Sequence, residues 1–264
     1  MVNGNILKIA FEFGRSHVTL PVAHQFIKRS PAKAFLASYP RSGSTWLRTM
    51  VCNVMVPGAN SDPMIFNNVI PAVSIKNIIL SDGAFDQNLL FTHSSYLPSI
   101  KRAVYIVRDG RDALVSFYHY TTTREGRSVP FDIWFYYYLK GFYGPRWDEN
   151  IESWLNYGKK QLADDLLVVK FEQLKENTLG EMLRILQFLN IDTNTDSVAS
   201  AITSVSLERS QQWEQKYLGN INDSNASFYR GGKSGVWKDY FHSNLLLKFK
   251  DVSAKAMEIA GYEI

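Results

Sequence analysis

One cysteine, Cys52, is all that 264 residues contain, so no internal disulfide can form. That argues against a small secreted domain stapled by bridges. Cys52 lies within an apolar helical pattern and reads as a buried core thiol. Long hydrophobic runs are also missing. No segment approaches the roughly 18 consecutive apolar residues that a membrane helix needs, and Glu12, Arg15 and His17 interrupt the first residues before a signal-peptide core can develop. A cytoplasmic protein without a membrane partner is expected. Charge of one sign is scarce too: 29 Lys and Arg against 25 Asp and Glu give a formal +4, a weak pull toward anions that does not favour nucleic acid as a partner. His17, His24, His119 and His242 show no metal-ligand spacing with one another or with the cysteine, so no metal is expected.

What is present is ordinary globular composition, 45% hydrophobic and 20% charged. The length suits one large domain, and no repeat or charge block divides it. Residues 1–30 carry no strong period and read as a strand or loop. Ala34 to Tyr39 reads as a buried strand; beyond Pro40 and Gly43, Leu47, Met50, Val51, Val54 and Met55 recur at helical spacing. An apolar helix is expected over Val69 to Leu80. Leu89–Thr92, Ala103–Val107 and Leu166–Phe171 are three further short apolar runs. Helical patterns occupy Asp109–Tyr120 and Thr178–Leu189, and Phe249, Val252, Ala256 and Ile259 mark a closing helix. Strands alternating with helices predict an α/β fold: a single domain, residues 1–264, with a central parallel sheet flanked by helices. Between Gly219 and Gly235 the chain turns polar and glycine-rich, as a long functional loop would. The triplets at Asn222 and Asn225 match a glycosylation pattern, which has no meaning without secretion.

Three segments could bind anions. Tyr39-Pro40-Arg41-Ser42-Gly43-Ser44-Thr45-Trp46 joins the first strand to its helix, where backbone N–H groups, three hydroxyls and a fixed charge suit a phosphate. It is not the nucleotide-hydrolase loop, since GxxxxGK followed by Ser or Thr is absent. A plain helix cap with a surface arginine is the other reading, and the sequence leaves both open. Arg108 follows a strand, at the edge where open α/β sheets bind ligands, with Ser116 eight residues later. Arg111 and Asp112 read as an ion pair at the helix start. In Phe228 to Lys238, glycines permit close backbone approach while Arg230 and Lys233 supply charge; a solvated loop is the alternative. His93, after the second run, is a candidate general base, although a lone histidine is more often structural. Nine of the seventeen residues from Phe131 to Trp147 are aromatic, and core packing explains them better than an acceptor pocket does.

In this order, and over about residues 33–241, the three segments resemble the sulfotransferases that use 3'-phosphoadenosine 5'-phosphosulfate (PAPS), in their cytosolic and bacterial small-molecule branch. The family's YPKSGTTW resembles Tyr39 to Trp46, its arginine with a serine eight residues on resembles Arg108 and Ser116, and its RKGxxGDWK resembles Arg230 to Lys238. The resemblance implies a P-loop-like phosphosulfate-binding loop after the first core strand. Arg41, Ser42, Gly43, Ser44, Thr45 and Trp46 would hold the 5'-phosphosulfate, with Trp46 against adenine. Arg108, Ser116, Arg230, Gly231 and Gly232 would hold the 3'-phosphate. Phe171 would contact adenine, and Ser206 falls in a segment that touches the nucleotide. His93 matches the catalytic base and Arg41 the cation that offsets charge on the leaving phosphate oxygen. The co-substrate would be PAPS, the product 3'-phosphoadenosine 5'-phosphate (PAP), and the partner a small-molecule hydroxyl or amine. Arg41, Phe91 and Gly231 each stand where the family has lysine, and the family's dimer signature is not recognisable in His242 to Leu247, so oligomeric state does not carry over. Two rivals remain: a nucleotide-dependent kinase or hydrolase of related architecture, and a polyanion binder with Arg108, Arg111, Arg124 and Arg127 in a surface stripe.

Overall fold

All four of the short apolar runs become strands in the computed structural model, which describes residues 20–60, 62–73, 87–123, 129–206, 208–212 and 231–264. They are β1 (Ala34–Ser38), β2 (Leu89–Thr92), β3 (Ala103–Val107) and β4 (Leu166–Lys170). Their order is β2-β1-β3-β4 and every pairing is parallel. Because helices cover both faces of such a sheet, its strands are apolar throughout rather than alternating. Accordingly, every residue of β1, β2 and β3 is buried.

Around the sheet stand α1 (Leu20–Arg29), α2 (Ser44–Met55), α3 (Pro63–Val69), α4 (Gly110–Thr123), α5 (Phe131–Leu139) and α6 (Trp147–Glu152). A π-helical turn, Ser153–Gly158, carries α6 into α7 (Lys159–Leu162), and α8 (Phe171–Glu176), α9 (Thr178–Phe188), α10 (Thr195–Ser204) and α11 (Ser243–Ala260) complete the set. The strand period of two sorts the core into two layers. Phe35, Ala37, Leu90, Tyr105 and Val107 face α4, α5, α6 and α11, where Leu114, Phe117, Trp134, Trp147 and Phe249 meet them. Leu36, Leu89, Phe91, Val104, Ile106 and Val169 face α2, α9 and α10, packing on Leu47, Val51, Met182, Ile185 and Val198. No helix among the described residues is long and apolar enough to cross a membrane.

Several expectations need correction. Residues 20–29 are a helix, not a strand or loop, and its Phe26 and Ile27 enter the first core layer. Of the apolar helix expected over Val69–Leu80, residues 70–73 are not helical, and Val69 is the last residue of α3. Pro71 explains this, since it lacks an N–H and its ring pushes Ile70 out of the helical region. The chain then runs beside β2, with Phe91 N–H donating to Pro71 O at 2.9 Å and Val73 N–H to Phe91 O at 2.8 Å; residues 74–80 lie outside the described residues. β4 stops at Lys170, and Phe171 opens α8. The aromatic run does build core: Phe131, Trp134, Phe135, Tyr138, Tyr143 and Trp147 are buried.

With β1 central, the chain leaves it toward β2 on one side and β3 on the other. Such a reversal opens a crevice at the carboxyl ends of the strands, where open α/β sheets take ligands.

Candidate active site

Each strand delivers a candidate residue to that crevice. Arg41 follows β1 by three residues, and His93, Arg108 and Phe171 are the first residues past β2, β3 and β4. Three of the four are one peptide from a strand end, so the sheet itself fixes their spacing.

The β1–α2 loop is wound through left-handed backbone at two of its residues. Arg41 (φ 67°) and Gly43 (φ 93°) both adopt left-handed backbone, which for the arginine costs about 1 kcal/mol or more. Gly43 is the N-cap residue, and no side chain caps α2. That removes the plain-cap reading and leaves the first N–H groups of α2 without intrahelical partners. Ser42 is fully buried, and its Oγ has no hydrogen-bond partner among the described residues.

Phe171 joins this loop to the third segment. A Cβ on Gly43 would lie 2.4 Å from Phe171 Cδ2, and one on Gly232 (φ 54°) 2.9 Å from its Cζ. The ring therefore sits between two glycines, with Trp46 edge-on at 6.2 Å. Arg108 lies over it, its guanidinium carbon 4.7 Å from the ring centre. Arg108 Nη1 donates to Arg41 O at 3.2 Å and Nη2 to Lys233 O at 2.9 Å, so the three candidate segments meet at this side chain. Its Nε is buried and has no partner among the described residues. Burial pulls the Arg108 guanidinium below arginine's usual pKa, while Asp112, Glu172 and Asp109 push it back up.

Ser116 does come to the site, but its recorded bond is with Arg41, whose Nε donates to Ser116 Oγ at 3.2 Å. The Arg41 guanidinium also stacks 5.0 Å from the centre of the Tyr120 ring. Arg111 and Asp112 are not the ion pair expected of them. Arg111 forks onto Asp109 through Nε (3.0 Å) and Nη2 (2.7 Å). Asp112 instead accepts from the N–H groups of Gly235 (2.7 Å) and Trp237 (3.0 Å), tethering the third segment to α4. Two unpaired N–H groups at the start of the Val236–Asp239 turn attract the carboxylate more than a neighbouring guanidinium already engaged by Asp109. Lys175 Nζ adds a bond to Gly232 O at 3.0 Å. Gly231 (φ 104°) continues the left-handed run. Arg230, like Arg124 and Arg127, lies outside the described residues. Ser206 only opens a local turn, accepting from Arg209 and Ser210 N–H groups, and no hydrogen bond recorded for it reaches the other candidates.

His93 is oriented by neutral partners. Its Nδ1 is 2.9 Å from Ser38 O and 3.2 Å from Ser38 Oγ. A carbonyl only accepts, so Nδ1 carries the proton and, in the neutral ring, Nε2 holds the lone pair. The Phe91 ring meets the imidazole edge to face at 4.7 Å. Behind Phe91, 5.1 Å from its centre, is the buried guanidinium of Arg48, bonded to Ile70 O (2.6 Å) and Asn67 Oδ1 (2.7 Å) and pushed down to about 10 by burial.

Sequence reasoning missed the brace behind His93. Asn150 Nδ2 donates to His93 O at 3.3 Å and is itself held by the Tyr105 hydroxyl at 2.7 Å. Trp154 Nε1 donates to Ser94 O at 2.9 Å while its ring stacks on Tyr105 at 5.0 Å. Trp154 lies in the π-helical turn, a feature frequent at functional sites, but its signal in the sequence is only one more aromatic among many. No cluster of three or more His, Cys, Asp or Glu suited to a metal occurs among the described residues.

Residues 31–261 match the domain model described as Sulfotransferase domain. The chain is similar to a flavonol 4'-sulfotransferase of Flaveria chlorifolia, 26% identical over 91% of this chain and 83% of that one. It is also similar to cytosolic sulfotransferase 5 of Arabidopsis thaliana, 24% identical over 97% and 86%. Among solved structures, mouse sulfotransferase SULT7A1 complexed with PAP shares the fold at TM-score 0.67 and 22% identity, covering 91% of each chain.

Proposed function

The chain belongs to the sulfotransferase family, and from that premise we propose that its sulfuryl donor is PAPS, bound across the carboxyl ends of β1, β3 and β4. The observation that carries this reading is the convergence on Arg108, whose Nη atoms join the first and third segments while its buried Nε and the buried Ser42 Oγ lack partners among the described residues. Buried polar atoms of this kind call for a ligand that hydrogen-bonds them. Both atoms suit phosphate oxygens, as do the uncapped N–H groups of α2.

In this arrangement Ser42, Ser44, Thr45 and the α2 N-terminus hold the 5'-phosphosulfate, and Arg108, Gly231, Gly232, Arg230 and Ser116 the 3'-phosphate, with Trp46 and Phe171 beside adenine. The donor supplies an activated sulfuryl group. Arg41 offsets negative charge on the leaving phosphate oxygen. His93 takes the proton from the acceptor hydroxyl or amine at Nε2, because Nδ1–H is committed to Ser38 O. His93 and Arg41 are thus the catalytic pair, and neither role involves a metal. The acceptor is a small molecule reached through β2 and its flanks. The relatives named as cytosolic sulfotransferases support a cytoplasmic setting. A kinase or hydrolase is not favoured, given the family match.

The test is ligand-induced stabilisation. PAP at about a hundred times its dissociation constant should stabilise the fold by ~2.7 kcal/mol and raise the melting temperature by several degrees. A rise with ATP and magnesium but none with PAP would overturn the reading.

A further inference from the structure

An anion pocket built beside acidic side chains works only if those acids are engaged elsewhere, because a carboxylate that reaches the site's arginine competes with the ligand. Arg108 has three such neighbours, Asp109, Asp112 and Glu172. Arg111 occupies Asp109 through a two-point fork, and the Gly235 and Trp237 N–H groups occupy Asp112. Glu172 follows Phe171 directly, and the β3–α4 connection offers it only the weak 3.4 Å bond that Asp109 N–H donates to Oε1. The stronger contact comes from the other end of the chain, where the Tyr262 hydroxyl donates to Glu172 Oε2 at 2.6 Å.

The segment carrying Tyr262 is fastened for this purpose at both flanks. Gly261 (φ 71°) closes α11, with its N–H on Glu258 O and the Tyr262 N–H on Met257 O. A Cβ at Gly261 would stand 2.8 Å from Lys170 Nζ, so glycine is what admits the lysine. Lys170 Nζ bonds Gly261 O at 2.5 Å and lies 4.6 Å above the Tyr262 ring. Arg111 Nη2 bonds Glu263 O at 2.9 Å. Residues 261–263 thereby tie the first turn of α4 to the end of β4, with a long 3.4 Å contact from the Tyr262 hydroxyl to Val107 O at the end of β3.

We propose that Tyr262 is a positioning residue of the nucleotide site: its hydroxyl holds Glu172 out of reach of Arg108, so that the guanidinium is left for the 3'-phosphate. This rests on the donor assignment above. Loss of the hydroxyl frees Glu172 to turn onto Arg108 and compete with the ligand, and removing the negative charge of Glu172 cancels that penalty.

The experiment is calorimetric titration of PAP into the wild-type chain and the Tyr262→Phe, Glu172→Gln and doubly substituted chains. Tyr262→Phe should weaken PAP about tenfold, the scale of one competing charge contact. Glu172→Gln should bind as tightly as wild type or more tightly, and the double variant should return to within about twofold of wild type. A double variant as weak as Tyr262→Phe would make the tyrosine a merely structural prop and overturn the proposal, as would unchanged binding by Tyr262→Phe or weakened binding by Glu172→Gln. Failure of the wild-type chain to bind PAP at all is a separate result, and it would overturn the donor assignment on which the proposal stands.

Discussion

Acidic side chains crowd the Arg108 guanidinium, whereas the hydrogen bonds described for His93 run to neutral groups. Arg108 is set by carbonyls, by the Phe171 ring and by carboxylates engaged one by one. His93 is set by a serine carbonyl, an asparagine amide, a phenylalanine ring and, through the next residue, an indole N–H. On the proposed function, the difference follows from what each end would do. A donor with fixed phosphates is gripped best by opposite charge and by glycines that let backbone close in. A base must keep one nitrogen unprotonated, and neutral partners stabilise the imidazolium less than a carboxylate would.

If that division holds, substitutions at the two ends separate binding from turnover. The largest effect is expected at His93→Ala, which should lower turnover by roughly a hundredfold or more while PAP affinity, measured by calorimetry, stays near wild type. Weakened PAP binding in that variant would erase the contrast between the two ends. Next is Gly43→Ala, whose Cβ would meet Phe171 at 2.4 Å on left-handed backbone. A loss of about 1–3 kcal/mol in stability and a clear loss of PAP affinity are expected, read by denaturant unfolding and titration. Asp112→Asn keeps one acceptor oxygen where two N–H groups now bond, so PAP binding should weaken several-fold with turnover at saturation nearly unchanged. The smallest is Trp154→Phe, which keeps most of the stacking but removes the Ser94 bond. It should cost about 1 kcal/mol in stability and reduce turnover a few-fold without moving PAP affinity, and a loss confined to affinity would place Trp154 at the wrong end.

The charged end was largely legible in the sequence and the neutral end was not. Strand ends, the Arg41 loop, Arg108 and the glycine segment all lie in contiguous motifs whose chemistry is local. The family resemblance offered Phe171 as a candidate, but not as the ring wedged between Gly43 and Gly232, because that depends on loops 61 residues apart in one case (232 − 171). The Asp112 tether, the Asn150 and Trp154 brace and the Tyr262 contact join positions far apart along the chain, and no periodicity reports such pairs. Helix α1 was missed because its apolar face is short, and the helix expected over Val69–Leu80 was drawn through residues 70–73, which are not helical, because Pro71 was given too little weight.

One titration bears most directly on the central claim that separate loops grip a single nucleotide through Arg108. PAP should bind the wild-type chain at one site per chain, and Arg108→Ala should weaken it by at least tenfold while His93→Ala leaves it intact. Equal PAP affinity in wild type and Arg108→Ala would contradict that claim.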